Sequence, residues 1–370
     1  FDSGLYNVGD SVENEDGILV RSAKLLDYEF PANLKAISRA GVGVNNIPID
    51  RCSEAGIAVF STPGANANAV KELVLCGMLM ASRDVTGSIK WVKDQVESGV
   101  EVANVVEKGK SAFVGPELYK KTLGVIGLGA IGSLVANVAL ELGMDVYGYD
   151  PFLSVDAALR LDRHVRVVKD IAELYKRADY ITIHIHYTDQ TRHMINAEAI
   201  GKMKRGVRFI NLARGEIVED EAMLSALDTG KVAAYVTDFP NNKLVRAPHV
   251  VAMPHLGAST PESEQNCAAM AVDELKDYLE NGNIKNSVNF PNVHMDRSGV
   301  QRLCIVNRNI PAMLANITAL LAKDHVNVEN MTNKSRGNAA YTIFDVTGAV
   351  PASLDADLKA LEAVLRVRVI

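Results

Sequence analysis

The segment Gly127-Leu128-Gly129-Ala130-Ile131-Gly132 has residue types and spacing suited to holding a phosphate. It follows the apolar run Leu123-Gly124-Val125-Ile126 and precedes Ile131, Leu134, Val135 and Val138 on one helical stripe. The glycines therefore fall in a turn between a buried strand and a helix. Gly127 permits the tight turn, Gly129 lets a pyrophosphate approach the backbone, and Gly132 lets helix and strand pack closely. The free N–H groups and partial positive charge of the helix N-terminus, at Ala130 and Ile131, attract the phosphates. A second strand, Asp145 to Gly148, leads into Tyr149-Asp150, about 20 residues downstream, where an acid that binds ribose belongs. Asp150 can accept from both ribose hydroxyls and repels a 2'-phosphate, which favours NAD over NADP. Its simpler role would be to open the turn before Pro151.

Two further segments end strands: Asn211-Leu212-Ala213-Arg214-Gly215 and Pro254-His255-Leu256-Gly257-Ala258-Ser259-Thr260. Open α/β sheets place ligands at such edges. Taken singly, Arg214 or His255 is a salt-bridging or core residue. Together, after a dinucleotide loop, they suit oxidation of an alcohol beside a carboxylate: a base takes the hydroxyl proton, a cation holds the carboxylate, and a nicotinamide takes the hydride. His184-Ile185-His186 puts two imidazoles on one face of an expected strand. A third ligand is lacking, so no metal is expected.

The elements that position these residues alternate between strand and helix. Expected strands at Gly17 to Val20, Ala36 to Ser38 and Ile57 to Phe60 open the chain, followed by helices over Ala69 to Ser82 and Asp84 to Glu97. From Thr122 a second α/β series runs through strands at Asp145 to Tyr149, Val165 to Val168, Tyr180 to Ile185, Val207 to Leu212, Ala233 to Thr237 and Val250 to Ala252. Thr260-Pro261 starts a helix that runs to about Glu280. Residues 283–299 read as linker. Beyond them the order βαββαβ is the ferredoxin-like motif, with its second helix at Leu354 to Val364 and its last strand at Arg366 to Ile370.

The 370 residues suggest two or three domains. With 48% hydrophobic and 23% charged residues and a formal charge of −6, the chain reads as globular, and neither nucleic acid nor an anionic membrane is an expected partner. Cys52, Cys76, Cys267 and Cys304 are scattered, which suggests a reducing cytoplasm rather than a disulfide framework. No apolar run approaches a membrane span and no leader precedes the first residues; the start at Phe1 without Met leaves room for residues before it.

The chain resembles the D-isomer-specific 2-hydroxyacid dehydrogenases, most of all those members that oxidise 3-phosphoglycerate. The matching segments are Arg39-Ala40-Gly41-Val42-Gly43-Val44-Asn45-Asn46-Ile47, the Gly127 loop, Asn211 to Gly215, Asp238-Phe239-Pro240 and Pro254 to Thr260. The resemblance implies a Rossmann-type doubly wound cofactor domain (84–259) inserted in a flavodoxin-like substrate domain (1–83 and 260–290). It implies NAD-dependent oxidation of 3-phospho-D-glycerate to 3-phosphohydroxypyruvate, the first step of L-serine biosynthesis. Arg214 would bind the carboxylate and the forming carbonyl, His255 would exchange the hydroxyl proton, and Asp238 would face the nicotinamide amide. Val42, Gly43 and Val44 would assist the carboxylate through backbone N–H groups; Arg21, Ser22 and Asn66 would receive the distal phosphate, their alternative being a surface loop. One departure stands out: the family's glutamate that orients the histidine is missing, and Asn241, Asn242 and Lys243 follow Phe239-Pro240. Either Asn242 orients His255 or Lys243 joins the proton transfer. Two other readings stay open. One is a related reductase of hydroxypyruvate or glyoxylate, the other a non-catalytic NAD(H) sensor of the kind found among transcriptional corepressors.

Residues 300–370 resemble an ACT domain, a module that binds amino acids. Asn309 and Asn327 match serine-contacting positions of such domains, while Asn307 replaces a histidine and Ala312 a glycine. L-serine is therefore the expected effector, with a domain used only for assembly as the alternative. A homodimer is expected, with the helix near Asp84 and the loop through Phe113 as the contact, or a homotetramer through the C-terminal domains.

Overall fold

Each short apolar run closed by polar, Gly or Pro residues becomes a strand. β1 (Gly17–Val20), β2 (Ala36–Arg39) and β3 (Ala58–Ser61) form a parallel sheet in that order. Alternation sorts their side chains: Ile37 and Val59 join Val20, Leu25, Leu34 and Ile47 in one core, while Ala36, Ala58 and Phe60 join Leu275 and Tyr278 in another. The structure, a computed structural model, describes residues 4–299 and 301–370. The chain divides into two units, one comprising the chain up to Ala65 and from Glu264 onward, the other Asn66–Ser263.

In the second unit β4 (Thr122–Ile126), β5 (Asp145–Tyr149), β6 (Arg166–Val167), β7 (Tyr180–Ile183), β8 (Val207–Asn211), β9 (Val232–Thr237) and β10 (Val250–Ala252) form a parallel sheet of order β10-β9-β8-β7-β4-β5-β6. Direction of winding reverses between β4 and β7, which opens a crevice beyond their C-terminal ends. β7 stops at Ile183, short of the expected Ile185, because its neighbour β4 ends at Ile126 and the Gly127 turn removes the partner edge; His184 N–H takes the last bond, to Ile126 O (2.7 Å). His184 and His186 are thus not strand residues.

The helix Ala67–Ser82 falls in this second compact unit, which runs from Asn66 to Ser263. Val70, Val74 and Met78 share a core with Val125, Ile210 and Val236. Its amphipathic pattern showed a buried face without saying which sheet would cover it. Asp84 caps the next helix, Val85–Glu97, accepting from Gly87 N–H at 2.8 Å, and no residue of that helix is buried.

In the first unit β11 (Gln301–Arg308), the helix Met313–Lys323, β12 (Asn327–Arg336), β13 (Ala339–Thr347), the helix Ala352–Lys359 and β14 (Val364–Val369) complete the chain. Sheet order β12-β13-β11-β14, all antiparallel, is that of the ferredoxin-like motif. The second helix ends at Lys359 instead of Val364, since Val364 and Leu365 already belong to the strand beside β11.

Residues 283–299, expected as linker, are built into this unit. Val288 N–H donates to Val59 O (2.8 Å) and Ser61 N–H to Asn286 O (3.3 Å), so the segment covers the open edge of β3. Phe290 and Val293 are buried beside Phe60, Tyr278, Cys304 and Tyr341. Asn, Ser and Pro gave it the composition of a connector and masked these few apolar anchors.

Glu274, on the helix Pro261–Asn281, is buried in the same unit. Its Oε1 accepts from Asn286 Nδ2 (2.6 Å), its Oε2 has no partner among the described residues, and burial pushes the carboxyl from 4.5 up to about 7. A folded pKa above the unfolded one means that ionisation costs stability, from nothing below pH 4.5 to a plateau above about pH 7. Glu274→Gln should therefore stabilise at pH 8 by on the order of 1–2 kcal/mol, allowing for solvent screening. The gain should shrink toward zero as the pH falls to 4.5. Melting curves at both ends of this range check it; an equal gain at both would count against the carboxyl's charge as the cause.

Candidate active site

The glycine loop shows three different demands. Gly127 has φ +88°, and a Cβ there would strike the His184 carbonyl; a Cβ on Gly132 would overlap the Gly127 carbonyl oxygen. A Cβ on Gly129 would meet nothing within 4 Å, so this position faces open space. The helix Ala130–Glu141 starts directly behind it. Asp150 ties the loop to the end of β5: its Oδ2 accepts from Leu128 N–H and its Oδ1 from Phe152 N–H, both at 2.9 Å. It thus opens the turn before Pro151 and braces the glycine loop, with lone pairs left on both oxygens.

At the ends of β8, β9 and β10 the remaining candidates come together. Asn211 accepts from Ala213 N–H (3.1 Å) and donates to Arg214 O (2.9 Å), which folds the loop carrying Arg214. The guanidinium of Arg214 is exposed and lies over the Phe239 ring at 5.9 Å. His255 meets that same ring edge-on, at 4.6 Å between centroids and 86° between planes. Asp238, one residue earlier, is buried: Oδ2 accepts from Gly257 N–H (3.2 Å), while Oδ1 has no partner among the described residues. Burial, the largest influence, raises its carboxyl above the usual carboxylate range, against the pull of His255 and of the Gly257 and Leu256 N–H groups. Val70 lies where a Cβ on Gly257 would meet it, and Asn66 caps the same helix one turn earlier with its Oδ1 buried and unpartnered.

Other candidates sit elsewhere. Arg21 and Ser22 follow β1, exposed, and Arg21 pairs with Glu264 at 2.7 Å. Val42, Gly43 and Val44 follow β2; their N–H groups have no hydrogen-bond partner among the described residues. These five belong to the first unit. Lys243 pairs with Glu221, both exposed, and Asn242 is exposed. Neither hydrogen-bonds to His255, whose ring nitrogens have no such partner among the described residues. His184 Nε2 lies 2.9 Å from Thr182 Oγ1, its Nδ1 is buried without a partner, and burial pulls the ring down to about 3, which keeps it neutral.

The family of the D-isomer specific 2-hydroxyacid dehydrogenase NAD binding domain matches residues 75–257. A hydroxypyruvate reductase of Thermotoga maritima is 38% identical over 70% of this chain and 83% of its own length. The chain belongs to the D-isomer-specific 2-hydroxyacid dehydrogenases. A D-3-phosphoglycerate dehydrogenase of Methanocaldococcus jannaschii is 35% identical over 86% of this chain and 59% of its own length. Among solved structures, the NAD+-bound 3-phosphoglycerate dehydrogenase of Entamoeba histolytica superposes with a TM-score of 0.57 at 30% identity, over 74% of this chain and 82% of that one. This family member spans between 51% and 59% of the length of three curated D-3-phosphoglycerate dehydrogenases that it matches.

The residues of the family's NAD binding domain fit the cofactor. Gly129 leaves open the space a pyrophosphate needs, Asp150 stands at the end of the second strand, and the orphaned Asp238 Oδ1 is an acceptor suited to an amide N–H. Sequence reasoning gave no role to Phe239, which brings Arg214 and His255 to one ring, or to Asn211, which shapes the arginine loop. A buried asparagine ending a strand was the available signal for the second; none marked the first.

Proposed function

We propose that the chain oxidises 3-phospho-D-glycerate to 3-phosphohydroxypyruvate with NAD+, the first step of L-serine biosynthesis. The observation that carries this is the convergence of Arg214 and His255 on Phe239, at the end of an NAD-binding sheet. NAD supplies the hydride acceptor. The N–H groups behind Gly129 hold its pyrophosphate, Asp150 its ribose and Asp238 its amide. The Arg214 fork grips the substrate carboxylate and the developing carbonyl. His255 removes the hydroxyl proton and returns it in the reverse direction. Arg21, Ser22 and Asn66 are the candidates for the distal phosphate, and the free N–H groups of Val42 to Val44 for the carboxylate.

Purified protein with NAD+ and 3-phosphoglycerate should form NADH, followed at 340 nm, well above the rates with D-lactate or D-glycerate. The Thermotoga relative's name favours one second reading, reduction of hydroxypyruvate; faster turnover of hydroxypyruvate or glyoxylate would establish it. Silence on every substrate despite NAD binding would mark an NAD(H)-sensing regulator.

L-serine is the proposed effector of the C-terminal domain, and three proposed domains, substrate-binding, cofactor-binding and ACT-like, divide the work. In the effector loop Asn307 Oδ1 is buried without a partner, Asn309 Nδ2 donates to Gly337 O (3.1 Å), and Ala312 holds φ +67°, a conformation that suits glycine. Asn327 instead donates to Thr347 Oγ1 (3.1 Å). A role in assembly alone would leave NADH formation unchanged by L-serine. A cytoplasmic setting is proposed from four unpaired cysteines; among the described residues no helix is long and apolar enough to cross a membrane.

A homodimer is proposed through the helix Val85–Glu97, which shows Ile89, Val92 and Val96 to solvent. Ile89→Asp should halve the mass measured by light scattering; an unchanged mass would move the contact elsewhere, with the C-terminal domains the next candidate.

A further inference from the structure

A general base must hold one ring orientation and one tautomer while the proton moves. Among the described residues no carboxylate hydrogen-bonds to either His255 nitrogen, although the Asp238 carboxyl acts on the ring electrostatically; Lys243 is paired with Glu221 instead, and Asn242 makes no hydrogen bond to the ring. The imidazole packs against the ring of Phe239, edge to face at 4.6 Å. That same ring carries the Arg214 guanidinium at 5.9 Å from its centroid. Among the described residues the Arg214 guanidinium makes a single hydrogen bond, Nη1 to Ala213 O at 2.6 Å. One aromatic side chain therefore braces both groups that the reaction needs.

Phe239 is itself fixed. Its N–H donates to Thr237 Oγ1 at 3.1 Å, which holds the backbone at the end of β9. On the arginine side Gly215 makes room: a Cβ there would press on Phe239 Cβ at 3.2 Å. On the histidine side Asp238 draws in Gly257 N–H and so ties the loop that carries His255 to the residue preceding Phe239.

We propose that Phe239 is a positioning residue, whose ring sets the orientation of His255 and the reach of Arg214 in place of the missing carboxylate. The aromatic edge-to-face preference orients the imidazole, and the ring face attracts the guanidinium. The proposal rests on the dehydrogenase reading given above.

Two measurements on the full-length protein test it. In the first, the His255 ring protons, assigned by their loss in His255→Ala, are followed by NMR in the wild type and in Phe239→Leu without any ligand. The ring current of Phe239 should displace these signals, and the displacement should vanish in Phe239→Leu. In the second, Phe239→Leu should lower kcat about 10-fold, the cost of a small misplacement of reacting groups, with KM for NAD+ unchanged within about twofold. Phe239→Tyr, which keeps the ring, should restore most of kcat. Melting curves confirm that each variant folds, and Phe239→Met replaces the leucine variant if that one does not. Unchanged His255 signals, or a kcat for Phe239→Leu within about twofold of wild type, would overturn the proposal. If the wild type turned over no 2-hydroxy acid, the dehydrogenase reading would fall, while the NMR comparison would still decide whether Phe239 orders the ring.

Discussion

His255→Ala and Arg214→Ala are each expected to lower kcat/KM for the proposed oxidation by about a thousandfold, and to do so differently. General acid–base catalysis by a positioned imidazole is worth on the order of 10²–10⁴ in rate. Loss of His255 should therefore fall mainly on kcat, with KM for the hydroxy acid little changed. In the proposed reaction Arg214 would meet both the carboxylate and the oxygen that becomes a carbonyl, so its loss should raise KM and lower kcat together. Arg214→Lys keeps the charge but not the planar fork, and should recover only a small part. Neither side chain is buried or bonded into the core, so both variants should melt near the wild type and retain NAD binding by fluorescence titration. A His255→Ala enzyme with kcat within tenfold of wild type would exclude this imidazole as the base.

What could be seen in the sequence follows a physical rule. Gly127 and Gly132 were legible because each answers a backbone demand that only glycine meets, a positive φ and a close packing contact, while Gly129 faces open space. Asp150 was legible in position but not in its double duty, because its bonds to Leu128 and Phe152 depend on how the turn closes. Phe239 was matched only within the Asp238-Phe239-Pro240 segment, and nothing in the sequence marked its contacts. Its contacts join the ends of three strands far apart in sequence, and an aromatic residue beside a strand end looks like any other core residue. The same limit hid the partner of the helix Ala67–Ser82 and the strand-like role of residues 286–288, where backbone pairing outweighs composition. Periodicity gives a face to bury, and tertiary closure chooses what buries it.

Asp345→Asn should destabilise the first unit by about 3–5 kcal/mol, the usual cost of leaving one member of a buried ion pair uncompensated. Arg302 is 0% and Asp345 1% exposed, and they meet through two bonds, Nε to Oδ1 at 2.6 Å and Nη2 to Oδ2 at 2.9 Å. Further hydrogen bonds surround the pair. Arg302 Nη1 donates to the carbonyls of Asn281 and Met295, both at 2.8 Å, while Ser298 donates to Asp345 Oδ2 through its N–H (2.8 Å) and hydroxyl (3.0 Å). The pair thus pins the end of the helix Pro261–Asn281 and the segment after it onto β11 and β13. Burial alone would raise the Asp345 carboxyl, but Arg302 and Ser298 outweigh it and hold it below the usual carboxylate range. A depressed folded pKa gives stability that is present above the unfolded value and lost as acid protonates the folded carboxylate. Melting of the wild type should therefore drop steeply at low pH, and that part of the drop should be absent in Asp345→Asn, which starts lower. Replacing both partners, as in Arg302→Met with Asp345→Leu, should recover part of the loss but not all of it, because two backbone carbonyls then lose their donor. A single Asp345→Asn variant that melts within about 2 °C of wild type, against the several degrees expected from a loss of this size, would show that the pair is not what holds the helix end and the segment after it to β11 and β13.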